Sequence, residues 1–159
     1  MKKFDYENSV GFVVYNASKT IQKAFDLELR NKIGITITQS KVIFALYMTS
    51  GPTQRELADK IGVESPTLVP IIDKMEDDGY VKRKPDPQDR RIKRIYTTSK
   101  TDSLWDSMMK CATQIRKVST KDVSEQEMNS ALRVIKKITE NLTTYLGDSE
   151  LGDLKKTKD

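Results

Sequence analysis

Apolar residues recur every three or four positions over much of the chain, which is the spacing of one face of an α-helix. The first stripe predicts a long helix from Tyr6 to Lys32 that ends near Gly34, with charged residues on its opposite face. A second helix is predicted from a cap at Thr38 to about Met48. The first third of the chain is therefore predicted to be helical.

Two shorter helices follow, and the residues at their ends predict a tight turn between them. Thr53 and Glu56 have the spacing of a capping box, in which a hydroxyl and a carboxylate each accept a backbone N–H at the start of the helix. Gly62 closes this helix, and Ser65 followed by Pro66 predicts the cap and the first residue of the next one. Two short helices joined by a glycine-containing turn indicate a helix-turn-helix.

After Gly79 the apolar period changes from that of a helix to that of a strand. Residues 80–83 and 91–97 predict two strands, and the segment 85–89, which holds two prolines, predicts the turn between them. A charged β-hairpin that directly follows a helix-turn-helix is predicted to be a wing.

Helical stripes return in the last third of the chain. One covers residues 104–118, and another follows a second capping box at Ser124 and Glu127 and continues to Tyr145. Its apolar spacing resembles the seam of a coiled coil. Residues 147–159 are charged and poor in apolar side chains, so we predict a frayed tail. The predicted fold class is mainly α with a small β-hairpin wing.

Charge is concentrated in the predicted wing. The segment 82–94 holds seven basic and two acidic residues, an excess equal to the formal net charge of +5 of the whole chain. The remainder of the chain is therefore neutral. A localised positive segment indicates a localised anionic partner, and a nucleic-acid backbone is the leading candidate.

Within the wing, Arg90 and Arg91 follow the turn and are predicted to enter a DNA minor groove, where the negative potential is deepest. Asp89 is predicted to hold an arginine guanidinium in a fixed orientation. The basic residues that flank the tip are predicted to reach phosphates, and these are Lys82, Arg83, Lys93 and Arg94.

The second helix of the helix-turn-helix is predicted to enter the major groove by its amino-terminal end. Thr67 lies on its outer face beside Val69 and Pro70, which offer no hydrogen bonds, so direct base readout is predicted to be weak. Pro70 removes a backbone donor inside the helix and predicts a distorted first turn rather than a broken helix. The complete set of predicted DNA-binding residues is Thr53, Ser65, Thr67, Val69, Pro70, Arg83, Asp89, Arg90, Arg91, Lys93 and Arg94.

The composition argues against catalysis. The chain has no histidine and one cysteine, Cys111, so imidazole-dependent catalysis and cysteine-rich zinc sites are excluded. We expect a binding protein without a cofactor or metal. Cys111 lies on an apolar stripe without a second cysteine, so a structural role is favoured over redox sensing. No apolar run is long enough to cross a membrane and no signal peptide is recognisable, so a cytoplasmic location without a membrane partner is expected.

Three segments, 54–63, 68–81 and 86–91 followed by Tyr96-Thr97, resemble the MarR family of transcriptional regulators. The phrase Glu64-Ser-Pro-Thr-Leu-Val69 is most similar to the SlyA-like branch. The resemblance covers roughly residues 10–142 in the family's order. Two residues depart from the family pattern: Pro70 stands where SlyA-like members usually carry a DNA-contacting arginine, and Lys100 where a glycine is usual.

The resemblance implies a homodimer that binds a pseudo-palindromic operator in double-stranded DNA, and often a repressor released by a small phenolic or anionic effector. It assigns residues 1–34 and 100–146 to a helical dimerisation region and residues 35–99 to a winged helix-turn-helix DNA-binding domain, followed by the charged tail. It also implies that Arg91 enters the minor groove with Asp89 bracing it. The sequence names neither the operator nor the effector residues.

Two other functions are compatible with the residues. A winged-helix interaction module could dock its basic hairpin on an acidic protein or bind nucleic acid without sequence preference. An enzyme is the weakest alternative, since no set of acid, base and nucleophile can be assembled. A palindromic binding site on DNA would separate the regulator from the interaction module.

Overall fold

The computed structural model describes the backbone of residues 5–156 and the side chains of residues 5–147. The described chain forms two compact units that divide after Ser119, the first holding α1 to α5 with the hairpin and the second holding α6. The elements in chain order are α1 (Val10–Ile33), α2 (Ile37–Tyr47), α3 (Gln54–Ile61), α4 (Ser65–Asp77), β1 (Val81–Pro85), β2 (Lys93–Thr97), α5 (Ser99–Ser119) and α6 (Glu125–Lys156). This confirms the predicted fold class.

The starts of α1 and α2 correct two sequence-based predictions. Ser9 caps α1 by accepting the N–H of Phe12, so the helix begins after the predicted Tyr6. Thr36, and not Thr38, caps α2, because it forms a reciprocal capping box with Gln39. Thr38 lies inside the first turn of that helix.

The predicted capping box of α3 is confirmed, since the Thr53 hydroxyl accepts the N–H of Glu56 and the Glu56 carboxylate accepts the N–H of Thr53. The predicted cap of α4 is wrong. Glu64 holds the extended N-cap conformation and its carbonyl accepts the first N–H groups of the helix, so Ser65 is the first helical residue. The helix runs through Pro70 to Asp77 without a break.

Strands β1 and β2 pair antiparallel, with Val81 opposite Thr97 and Pro85 opposite Lys93. The hairpin is also bonded to the turn before α3, because the N–H of Ile95 donates to the carbonyl of Pro52 at 2.9 Å. Gly51 in that turn has a φ of 61°, and a Cβ there would lie 2.5 Å from the Tyr96 hydroxyl. The base of the hairpin therefore needs a glycine where it packs on the turn.

One apolar core joins the helix-turn-helix to the base of the hairpin. Leu57 of α3, Leu68 and Ile72 of α4, Val81 of β1 and Ile95 of β2 are all buried in it. Burying one such side chain contributes about 1.5–3 kcal/mol. The hairpin base is thus part of the folded core rather than an appended loop.

Helix α6 begins at the predicted capping box, in which Ser124 and Glu127 exchange hydrogen bonds. The helix continues through Gly147 to Lys156, so the boundary predicted at Gly147 is not the end of the helix. Six large apolar side chains of its described part are exposed, and they are Leu132, Val134, Ile135, Leu142, Tyr145 and Leu146. None of the helices within residues 5–156 combines the length and apolarity required to cross a bilayer.

Candidate nucleic-acid interface

The turn of the hairpin is organised around Asp86, a residue that the sequence analysis did not single out. Its carboxylate accepts the N–H of Gln88 at 2.7 Å and of Asp89 at 3.2 Å, and it pairs with Arg94. These hydrogen bonds, with the Arg94 guanidinium first among them, lower the pKa of the Asp86 carboxyl. The Asp-Pro-Gln-Asp order was the available signal, since an aspartate before a turn often accepts N–H groups two and three residues ahead.

The tip of the hairpin presents Arg91 in a fixed orientation. Its Nε and Nη2 donate to the two carboxylate oxygens of Asp89 at 3.0 and 2.9 Å, and its backbone N–H donates to the same carboxylate at 3.0 Å. This ion pair lowers the pKa of the Asp89 carboxyl. The Arg91 side chain is nevertheless 91% exposed. The guanidinium is braced from one side and open to solvent on the others.

Other basic residues of the hairpin are exposed beside this tip. Arg90 and Lys93 flank Arg91, while Lys82 and Lys84 lie on β1. The ammonium of Lys84 lies 5.6 Å from the centre of the Tyr96 ring. The exposed face of the hairpin therefore carries four basic side chains in addition to Arg91.

Arg83 and Arg94 differ from these residues, because their guanidinium groups form ion pairs and hydrogen bonds with other residues of the fold. Arg83 donates to Glu76 and to Asp73, each at 2.6 Å, and its side chain is 23% exposed. Arg94 pairs with Asp86 and donates to the carbonyl of Gly51 at 2.8 Å. Both were predicted to reach phosphates, and that remains a prediction, although most of their donors have partners within the fold.

The outer face of α4 offers few hydrogen-bonding groups. Thr67, Val69 and Pro70 are exposed together near the start of the helix, and Ser65 is half-buried. Thr53, at the start of α3, is half-buried, and its hydroxyl already accepts the N–H of Glu56. Hydroxyls are the only side-chain donors that these five positions present.

A second feature lies away from the hairpin, among helices α1, α2, α3 and α5. It is a cavity of about 500 Å³ whose wall is formed mainly by Phe25, Phe44, Met48, Ile61, Met108 and Met109. Lys41 and Lys60 also contribute to this wall, and their ammonium groups donate to Gln22 and Thr49 respectively. Trp105 stacks on the cavity residue Phe44, with ring centroids 5.8 Å apart. The cavity is thus mainly apolar, with two lysines among its lining residues.

Cys111 is buried near this region, on α5. Burial raises the pKa of its thiol, and the Glu28 carboxylate acts in the same direction. A thiol with a raised pKa is a poor nucleophile at neutral pH. The structure therefore supports a packing role for this side chain.

A helix-turn-helix followed by a basic two-stranded hairpin defines a winged helix-turn-helix protein. The sequence model of the MarR family matches residues 35–93 of this chain, which span that unit from α2 into β2. The chain is 31% identical to the transcriptional regulator PA3341, over 86% of this chain and 99% of that one, with a TM-score of 0.72. It belongs to the MarR family of transcriptional regulators. Its predicted place near the SlyA-like branch stays a prediction.

Two further solved structures share the fold at lower identity. The transcriptional repressor CouR, bound to a 23-mer DNA duplex, is 22% identical over 87% of this chain and 98% of that one, with a TM-score of 0.74. BpsR of Bordetella bronchiseptica, whose DNA binding is regulated by 6-hydroxynicotinic acid, is 18% identical over 86% of this chain and 97% of that one, with a TM-score of 0.73.

Proposed function

We propose that this chain is a homodimeric, sequence-specific DNA-binding repressor of transcription. The observation that carries the proposal is Arg91, which is braced by Asp89 and exposed at the end of a basic hairpin that directly follows a helix-turn-helix. A preorganised guanidinium on a narrow hairpin suits the minor groove, whose negative potential attracts arginine. The structure of CouR with a DNA duplex supports DNA as the partner class.

In this proposal α4 enters the major groove and the hairpin enters the adjacent minor groove. Thr67 would supply the hydrogen bond available on the outer face of α4, while Val69 offers apolar contact to a thymine methyl. Exposed lysines of the hairpin would contact phosphates. Because α4 offers so few donors, much of the sequence discrimination would come from groove shape read by the wing.

The dimer is proposed from exposed apolar surface in the two helical parts of the chain. Val10, Val13 and Val14 on α1 are exposed, as are Ile135 and Leu142 on α6. Exposed apolar side chains that recur along a helix are typical of a protein–protein interface. We assign residues 1–34 and 100–146 to dimerisation and residues 35–99 to DNA binding.

Selection of bound sites from random DNA tests this function. We expect enriched duplexes with two related half-sites about one helical turn, roughly 10 bp, apart, and a dimer by sedimentation. Affinity should fall steeply as salt rises, because phosphate contacts release counterions. A monomer that binds DNA without sequence preference would overturn the proposed function as a regulator. It would favour an interaction module that binds an acidic protein, or nucleic acid non-specifically.

We further propose that a small anionic or phenolic effector occupies the cavity and weakens DNA binding. The apolar wall suits an aromatic body, and Lys41 or Lys60 would pair with an anionic group at its edge. The regulation of DNA binding of BpsR by 6-hydroxynicotinic acid, an aromatic acid, supports this class of effector.

The sole tryptophan of the chain provides the test of the effector. Trp105 stacks on the cavity residue Phe44, so an occupant should change its fluorescence. We expect 6-hydroxynicotinic or salicylic acid to cause a saturable change in Trp105 fluorescence. The acid concentration at the midpoint of this change should equal the concentration at which half of the DNA is released. Ala112→Phe, which places a ring in the cavity wall, is the matched control and should abolish the response. Equal responses from both proteins would contradict a site in this cavity.

A further inference from the structure

We infer that Arg83 is a positioning residue that sets the wing against the recognition helix, and that it is not a phosphate ligand. The inference rests on the proposed DNA-binding function. From the sequence, Arg83 was predicted to contact phosphate. Glu76 and Asp73, two carboxylates of α4 without a predicted role, become its partners in positioning the wing.

Arg83 connects three elements of the winged helix-turn-helix. It lies on β1, at the base of the wing, and its Nη1 and Nη2 donate to Glu76 and Asp73 on α4, each at 2.6 Å. The backbone N–H of Arg83 donates to the second oxygen of Glu76 at 2.7 Å. Nη2 also lies 3.4 Å from the amide oxygen of Gln54 on α3. Glu76 thus holds both the strand backbone and the guanidinium.

The electrostatic balance at this site disfavours a phosphate. Two carboxylates surround one guanidinium, so the cluster of Arg83, Asp73 and Glu76 carries a net charge of about −1 at neutral pH. The N–H of Arg83, together with its guanidinium, lowers the pKa of the Glu76 carboxyl, which keeps that charge in place. A phosphate that approached Arg83 would meet Asp73, whose side chain is 54% exposed.

The geometry instead suits a clamp. A guanidinium is planar and presents several donors in a fixed fork, so it can hold two carboxylates at once and define the angle between the elements that carry them. Asp73 and Glu76 lie on α4, the helix proposed for the major groove, and Arg83 lies on the hairpin proposed for the minor groove. The clamp therefore sets the distance between the two DNA-binding elements.

This role predicts an effect of unusual sign. Removing a negative charge from a DNA-binding face normally strengthens binding, because phosphate repulsion falls. If Glu76 acts by holding the wing, Glu76→Ala should weaken binding instead. Arg83→Lys should weaken binding as well, since lysine keeps the charge but cannot bridge two carboxylates.

The test uses the full chain and a duplex enriched by the unaltered protein from random DNA. We expect Arg83→Lys and Glu76→Ala each to lower the affinity about tenfold, which corresponds to about 1.4 kcal/mol. The double variant should lose little more than either single one, because both changes break the same clamp. Asp77→Ala is the matched control, since it removes an exposed carboxylate next to Glu76 on the same helix and leaves the clamp intact.

Chemical footprinting separates positioning from general loss of structure. Dimethyl sulfate reports guanine N7 in the major groove and adenine N3 in the minor groove. At protein concentrations that saturate the duplex, the clamp variants should keep the major-groove protection given by α4 and lose the minor-groove protection given by the wing. A variant that is merely less folded would lose both together. Circular dichroism checks the folding, and Glu76→Gln replaces Glu76→Ala should the latter unfold.

The outcomes distinguish this inference from the proposed function. Retained affinity in Arg83→Lys together with tighter binding by Glu76→Ala would make Arg83 a phosphate ligand and overturn the inference alone. Joint loss of both groove protections would overturn it as well. Failure of the unaltered chain to enrich any sequence would overturn the proposed function, and the inference with it.

Discussion

The tip and the base of the wing contain the same residue types in opposite environments. Arg91 at the tip has one carboxylate partner and an almost fully exposed side chain, whereas Arg83 and Arg94 on the strands are 23% and 33% exposed and form hydrogen bonds within the fold. Formal charge is therefore not the same as charge available to a partner. The excess of basic residues in this segment overstates the number of cations that face outward.

The two isoleucines of the hairpin repeat this division. Ile95 on β2 is 1% exposed and belongs to the core, while Ile92 beside the tip is 41% exposed. The base is thus fixed by apolar packing as well as by ion pairs. The tip is fixed mainly by hydrogen bonds to Asp86 and Asp89. Stability is expected to depend on the base and DNA binding on the tip.

The isoleucine pair gives the largest expected effect. Ile95→Ala should lower the free energy of unfolding by about 2–5 kcal/mol, because it leaves a cavity in the core. Ile92→Ala, the matched change at the tip, should stay within about 0.5 kcal/mol of the unaltered protein, as exposed substitutions do. Urea denaturation followed by circular dichroism measures both. Similar losses at the two positions would contradict the division of the wing.

At the tip, Arg91→Ala should lower the affinity for the selected duplex about a hundredfold, or about 1.4 kcal/mol for each of the two lobes. The free energy of unfolding should change little, because the side chain lies in solvent. Fluorescence anisotropy with labelled duplex is the measurement. Arg133→Ala, which removes an exposed arginine on α6 outside the DNA-binding domain, serves as the control, and sedimentation checks that it still forms the dimer. An unchanged binding curve for Arg91→Ala would remove the wing from the proposed interface.

A smaller effect is expected for the carboxylate that braces Arg91. Asp89→Ala removes a negative charge near the DNA, yet we expect binding to weaken about threefold to tenfold. Without Asp89 the guanidinium of Arg91 has no fixed orientation in the free protein, and ordering it on association costs free energy. Anisotropy titrations at two salt concentrations would detect it. Tighter binding by this variant would mean that the Asp89 carboxylate only repels phosphate.

The dependence of stability on pH should be the weakest effect near neutrality. The chain has no histidine, so the free energy of unfolding should be nearly constant between about pH 6 and 7.5. The pKa values of Asp86 and Asp89 are lowered in the folded state, in each case first by an arginine, and that of Glu76 is lowered first by a backbone N–H. Their contribution is complete above the unfolded pKa values, near pH 4, and is lost as the pH falls through the lower folded values.

Urea midpoints at pH 7, 5 and 3.5 measure this dependence. We expect little change between the first two and a clear fall at the third. Asp86→Asn should flatten the fall, because one of the carboxylates with a lowered pKa is gone. A marked loss of stability between pH 7 and 5 would contradict the assignment of the titrating groups to these ion pairs.

Much of the fold followed from local patterns in the sequence. The apolar period predicted the helices, Thr53 with Glu56 predicted the start of α3, and the change of period after Gly79 predicted the hairpin. The start of α2 was missed although Thr36 and Gln39 have the local spacing of a capping box, and a distant residue stabilises the same start. Asp26 of α1 accepts the N–H of Ile37 at 2.7 Å, which stabilises a helix start after Thr36, and no local pattern reveals this contact.

The sequence by itself determined where the positive charge lies, which segments are helical and that a hairpin follows the helix-turn-helix, because these depend on neighbouring residues and on period. The tertiary structure decided which arginines remain available. Arg83 finds Glu76 and Asp73 only because β1 packs beside α4, and Arg94 reaches the carbonyl of Gly51 only because β2 packs on the turn before α3. Ion pairing of this kind depends on the distance between elements, which the order of residues along the chain does not specify.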